Sequence, residues 1–347
     1  MTQMKARTWI YLRPLGPVAF RWGGTTSPLL RGTAAHSLVS PLPLPSTVSG
    51  FLRAQLMRMG KLEPEEALRE DSLRGLGIEL GPVLLLLRFE RGSVPCAFIY
   101  GARGPSLLCA SPGGSFAISP RVLYRVGVAL DMDTRSALEG YLYSMEHLDL
   151  SPAALRAAGG GCIENGIGEM GALRSVGIAV GIQRDEGGLL PELRGVVGPL
   201  GGEGVPAMIE GEVDLELGDG VPVLAAPALI DGYGAEGLDL RVVWDGGAAV
   251  LRGYAASARS CWPPESPGQG KDGEVHARPT VRLLSRGFAL NSRLPMSLAA
   301  MPGPAVDCDC AAIGRSTWNG WGSVVRLPLR LRDQGGARWR GAAPGAY

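Results

Sequence analysis

Helix-forming sequence is scarce in this chain, so the stretch PLPLPSTVSGFLRAQL, Pro41 to Leu56, restricts the fold more than any other. Val48, Phe51, Leu52, Leu56 and Met59 recur at helical spacing and predict a helix from Ser46 to about Gly60, with Ser46 as its cap. Ser49, Gly50 and Arg53 cluster on the opposite face. A glycine inside a helix costs about 1 kcal/mol against alanine, so Gly50 is expected where something must approach closely. A helix N-terminus with free N–H groups, flanked by the hydroxyls of Ser46 and Thr47, is also an anion site.

Most other readable segments are strands. RTWIYLRP (7–14), GIELGPVLLLLRF and PCAFIYG read this way, and residues 124–150 read as two strands around a turn. A short helix, SPAALRAA, follows with Ser151 as cap and Pro152 at the first helical position. VVGPLGGEGVPAMIEGEVDLEL enters a strand pair through a glycine corner. Between the first strand and the first helix lies a loop of about thirty residues holding Arg21, Arg31 and His36, a length that is usually functional when ordered. VPVLAAPALI opens a second half near residue 219, and the polar stretch from Ala256 to Pro279 reads as a mobile loop. The expectation is an α+β chain of two domains, 1–218 and 219–347.

A formal net charge of +1 excludes a globally basic nucleic-acid binder. Lys5, Lys61 and Lys271 are the only lysines, so almost every cation is a guanidinium. That chemistry suits phosphate chelation and base stacking, and a GC-rich genome produces the same bias. Cysteines at 96, 109, 162, 261, 308 and 310 give no disulfide framework, which points to a reducing cytoplasm. The first residues lack an apolar signal core, and the longest apolar run, VLLLLRF, is too short to span a bilayer.

Several motifs compete for a role. GIGEMG, with Asp185 downstream, fits the dinucleotide pattern G-x-G-x-x-G but lacks a preceding apolar strand, so a glycine-rich loop is expected. Cys308 and Cys310, interleaved with Asp307 and Asp309, have only the isolated Cys261 and His276 as further ligands, so neither metal nor cofactor is expected. His147 falls inside a strand pattern; His36 is the one histidine placed where acid–base work on RNA is conceivable, and an ordinary loop histidine is the expectation there. RSTWNGWGSVV sets Trp318 and Trp321 beside Gly320 and Gly322, either as stacking faces with Arg315 or as a turn whose tryptophans cover a sheet.

RPLGPVAFRWG, PLPLPSTVSGFLRAQL, GIELGPVLLL, YRVGVALDMDTRSALEGYLY, PLGGEGVPA, VLAAPAL and GFALNSRLPMSLAAMPGPAV occur in the order seen in the subunit-three family of the Cmr complex. That complex is the type III-B CRISPR effector, and the family lies within the RAMP superfamily. The resemblance implies two ferredoxin-like (RRM-like) domains with long glycine-rich loop insertions. It implies a cytoplasmic, non-catalytic subunit that holds the 5′ handle of a guide RNA and bridges the large polymerase-like subunit to the backbone subunits, with no membrane contact. Candidate RNA-binding residues are Arg21, Arg31, Ser46, Thr47, Gly50, Arg53, Arg293, Arg315, Gly320, Trp321 and Gly322. Gly16, where the family often has an acid, and IYGARG, in place of a proline-rich pattern ending in Asp, depart from it. The competing readings are a metal-independent RAMP endoribonuclease using His36 and the equivalent subunit of a type III-A complex.

Overall fold

The computed structural model describes residues 8–16, 20–24, 36–101, 104–111, 114–130, 137–159, 170–201, 204–215, 217, 221–229, 241–245, 248–252, 280–283, 287–290, 297–300, 302–306, 312 and 316–327. Along the chain come β1 (Thr8–Pro14), β2 (Phe20–Gly24), β3 (His36–Ser40), α1 (Pro45–Arg58), α2 (Pro64–Ala67), α3 (Ser72–Gly75) and β4 (Ile78–Phe89). Then follow β5 (Gly92–Gly101), β6 (Gly104–Ser111), β7 (Gly114–Ile118), β8 (Val122–Leu130), β9 (Ala137–Leu148), α4 (Pro152–Gly159) and β10 (Leu173–Asp185). A 3-10 turn at Pro191–Leu193 leads to β11 (Val197–Leu200) and β12 (Val205–Val213). The second half contributes β13 (Val221–Leu224), β14 (Ala228–Leu229), β15 (Arg241–Asp245), β16 (Ala248–Arg252) and β17 (Thr280–Leu283). It closes with β18 (Gly287–Leu290), β19 (Ser297–Ala300), β20 (Gly303–Val306) and β21 (Val324–Leu327). The α+β expectation is met: an eight-stranded antiparallel sheet, β11-β12-β1-β10-β4-β5-β6-β7, dominates, and helices are few.

This large sheet is apolar on both faces, and alternation along its central strands sorts the core into two layers. Ile10 and Leu12 of β1, Val83, Leu85 and Leu87 of β4, and Ile178 and Val180 of β10 face α1, where Val48, Phe51, Leu52 and Leu56 cover them. Trp9, Tyr11, Leu84, Leu86 and Ala179 face the other way and pack on Val223, Ala225, Val325 and Leu327 of β13, the turn after it, and β21. That is why β4 reads as an unbroken apolar run rather than an alternation.

Three sequence expectations change. The long loop after β1 contains β2 and β3, which pair antiparallel (Phe20↔Ser40), while β3 runs parallel to β9; glycine and proline on both sides had hidden the short strands. The helix starts at Pro45, not Ser46, with Leu44 as its extended cap residue. Proline has a preset φ and no N–H to lose, so it takes the first helical position and carries Ser46 and Thr47 into the first turn. Cys96 and Cys109 are directly opposed on β5 and β6 and form a disulfide with Cα atoms 4.0 Å apart. Strand register makes this pair, and spacing along the sequence does not announce it. Ser151 does cap α4 as expected, its Oγ accepting from the Ala154 N–H at 3.3 Å.

Candidate nucleic-acid interface

The two stretches that most suggest a phosphate site meet at the start of α1. The N–H groups of Thr47 and Val48 both donate to the Leu44 carbonyl, at 2.9 and 3.1 Å. Pro45 has no N–H, so the first turn leaves the Ser46 amide as its donor without a backbone acceptor among the described residues. Against this turn lies the glycine corner between β11 and β12. Gly201 has φ +80°, and a Cβ there would lie 3.3 Å from the Phe20 ring and 3.6 Å from Thr47 Cγ2. Gly198, three residues earlier on β11, presses so closely on the Gln55 side chain that a Cβ has no room, which fixes β11 against α1.

A third glycine segment closes the same end. Gly320, at φ +86°, brings its backbone to Gly81 of β4 and to Pro45: a Cβ at 320 would lie 2.6 Å from the Gly81 carbonyl oxygen and 3.6 Å from Pro45 Cβ. Leu80 donates its N–H to the Trp318 carbonyl at 2.8 Å, and Gly322 donates to the Pro227 carbonyl at 2.8 Å. Thus residues near 45, 201 and 320, remote in sequence, surround one helix N-terminus.

The individual candidates divide. Ser46, Thr47 and Gly50 are half-buried at the accessible side of α1, and a Cβ on Gly50 would meet only Arg53 Nη2, at 3.8 Å. Space at Gly50 is therefore open to an approaching group. Arg53 does not project freely: its Nη1 donates to the Ala67 and Arg69 carbonyls at 3.1 and 2.5 Å, clamping α2 to α1. Trp321 is fully buried, with 0% exposure, in the core layer that contains α1. The expectation of a base-stacking face there is corrected in favour of the turn whose tryptophan covers the sheet, because an indole between sheet and helix gains more from burial than it could expose. Arg21 belongs to β2 next to Phe20, and His36 opens β3; at both, only the backbone is described. Arg31, Arg293 and Arg315 lie outside the described residues, as do Cys261, His276, Asp307, Cys308, Asp309 and Cys310. Most of GIGEMG and the stretch from Ala256 to Pro279 lie outside them too.

Asp185, weighed as a ribose ligand, instead ties its own turn, accepting from the N–H groups of Leu189 and Leu190 at 3.1 Å each. Among the described residues no three His, Cys, Asp or Glu side chains gather as a metal site, and no helix is long and apolar enough to cross a membrane. The polar tail end of the sheet face opposite α1, where Tyr11 lies, escaped the sequence reading; the alternation of Trp9, Tyr11 and Arg13 was its only signal.

Residues 121–243 match the model of the family described as CRISPR-associated protein (Cas_Cmr3). The matched stretch runs from β8 past β14 and includes the glycine corner, while α1 precedes it. No curated protein matches the sequence. Among solved structures, a chain of a cryo-EM structure of the type III-B Cmr-beta bound to cognate target RNA is 18% identical, with a TM-score of 0.45, covering 86% of this chain and 85% of that one. A chain from the type III-B Cmr-beta bound to cognate target RNA and AMPPnP, state 1, is 18% identical with a TM-score of 0.37, covering 64% of this chain and 69% of that one.

Proposed function

From the premise that this chain resembles the Cmr subunit-three family, a resemblance the family match bears out over residues 121–243, we propose that it is a non-catalytic subunit of a type III-B CRISPR ribonucleoprotein. In this reading it binds the 5′ handle of the guide RNA and bridges the large polymerase-like subunit to the backbone subunits, in the cytoplasm. The observation that carries the proposal is the meeting of the α1 first turn with the Gly201 corner. An amide donor and two hydroxyls at a helix N-terminus, beside the open side of Gly50, suit the phosphate backbone of a single strand. Arg21 is the candidate cation carried by β2, the strand whose Phe20 ring packs against Gly201.

The order β12-β1-β10-β4 supports a ferredoxin-like reading of the first half. It is the fourth-first-third-second order of a β-α-β-β-α-β unit, with α1 as the first crossover and the 3-10 turn at Pro191–Leu193 in place of the second helix. Strands β5 to β9 and α4 are then an insertion in the β4–β10 hairpin.

Binding should be local rather than a response to net charge. The full chain, incubated with labelled guide RNA in chelator, is expected to retain the RNA intact, with affinity falling with salt at a slope of about 0.7 per phosphate contact and a few contacts in all. Salt-indifferent binding would remove the main physical term of this reading. Discrete cleavage abolished by His36→Ala would replace it with the endoribonuclease.

A further inference from the structure

On the sheet face away from α1, the side chains form tiers. Tyr11 lies flat across Gly177 of the neighbouring strand β10, where its ring and hydroxyl leave no room for a Cβ, and it is 2% exposed. The Arg88 guanidinium covers that ring, its Cζ 4.8 Å from the centroid. Glu210 fixes the guanidinium from the side: it accepts from Arg88 Nη1 at 2.6 Å and pairs with Arg13 Nε at 2.7 Å.

The backbone is shaped to supply this carboxylate. Tyr11 pairs with Gly211 and Leu12 with Ile209, so Glu210 is the extra residue of a bulge in β12. Bulges of this kind re-aim side chains and concentrate beside functional sites. Gly211, at φ +126°, lets the Arg194 side chain cross it, with Cδ 3.4 Å from where a Cβ would be. The result is a cavity of about 240 Å³ lined by Tyr11, Arg88, Arg194, Glu210 and Glu212. Arg88 is 44% exposed, and Arg194 and Glu212, both exposed, enter no ion pair among the described residues. The Tyr11 hydroxyl is buried without a hydrogen-bond partner.

We infer that this pocket takes one unpaired base of the bound RNA, stacked on the outer face of the Arg88 guanidinium. The inference rests on the RNA-binding reading above and adds a second contact on the opposite face of the sheet. Guanidinium planes are stacking surfaces for splayed-out bases, and a plane already seated on tyrosine and held by Glu210 loses no further freedom on binding. A site for phosphate alone would not place two carboxylates in its wall. A base edge carries both donors and acceptors, which Glu212 and Arg194 answer with an acceptor and a donor.

Arg88→Lys separates the possibilities, because lysine keeps the charge and the reach to Glu210 but has no plane. With the full chain and single-stranded guide RNA, the variant is expected to bind about tenfold more weakly, at an unchanged salt slope. The loss is expected to vanish on a guide RNA made abasic at the one nucleotide that occupies the pocket, found by scanning abasic positions against the wild type. Glu210→Gln, which frees Arg88 without touching the RNA-facing plane, is expected to give a smaller loss of the same pattern and guards against a folding defect in the lysine variant. A wild type that binds RNA normally together with an unaffected Arg88→Lys overturns this inference and leaves the α1 reading standing. An Arg88→Ala change that lowers the slope by about 0.7 would make Arg88 a phosphate ligand and also overturn it. Failure of the wild type to bind RNA at all would instead defeat the functional reading itself. Should Arg88→Lys bind weakly whatever base is removed, the loss is a general structural or electrostatic one and the base assignment falls.

Discussion

Replacing Trp321 with alanine is expected to destabilise the protein by about 3–5 kcal/mol, the loss of a large aromatic side chain from a closed core. The indole is wholly buried in the layer that joins α1 to the large sheet, and it is the C-terminal half's contribution to that layer together with Leu229. The cavity opens where two chain segments are held together, so collapse around it would have to move β4 or α1. In a denaturant titration the midpoint should fall with little change in slope. RNA affinity of the remaining folded fraction should be nearly unchanged. A large loss of RNA affinity with stability intact would show that the indole faces ligand and not core.

Gly320→Val is expected to cost about 3 kcal/mol or more, for two separable reasons. A β-branched residue at φ +86° is strained by roughly 1–3 kcal/mol, and its Cβ would lie 2.6 Å from the Gly81 carbonyl oxygen, a backbone atom that cannot step aside alone. Gly60 offers the control. It has φ +69° with nothing within 4 Å of a built Cβ, so Gly60→Val should show the conformational cost without the collision. If the two variants lose equal stability, the approach of residue 320 to β4 is not what holds the C-terminal turn in place. The same comparison bears on the Leu80–Asn319 bridge, the parallel step by which this turn joins the edge of β4.

What the sequence discloses follows from where its periodicity is clean. The first strand, β4, the β8–β9 pair and the corner between β11 and β12 are read from their apolar runs and turn residues, and α1 from its spacing. The start of α1 is misread by one residue because Ser46 is a good cap, yet Pro45 is a better first helical residue. Strand β10, the sheet's longest at 13 residues, goes unread. Gly177 and Gly181 break its pattern, but Gly177 serves close approach by seating Tyr11, as does Gly81 on the facing strand, where a built Cβ would lie 3.2 Å from the Gly181 carbonyl oxygen. Propensity counts such glycines against a strand, whereas packing requires them. The meeting of the PST turn with LGGEG could not be inferred from either motif, since it depends on β11 closing over α1 through Gly198 and Gln55. Trp321 shows the converse: tryptophan between glycines fits a stacking face or a buried turn equally well, and only the depth of the core decides.

Ser46→Asp tests most directly whether the first turn of α1 holds RNA phosphate, because it moves stability and binding in opposite directions. A carboxylate in the first turn interacts favourably with the helix N-terminus, by about 0.3–1 kcal/mol, and α1 has no acidic residue there now. The same charge would repel a phosphate at the Ser46 amide. With the full chain and guide RNA carrying its 5′ handle, the thermal midpoint is expected to be unchanged or higher and RNA affinity to be lowered by about tenfold. Unaltered RNA affinity in this folded variant, measured where the wild type binds, would contradict a phosphate site there.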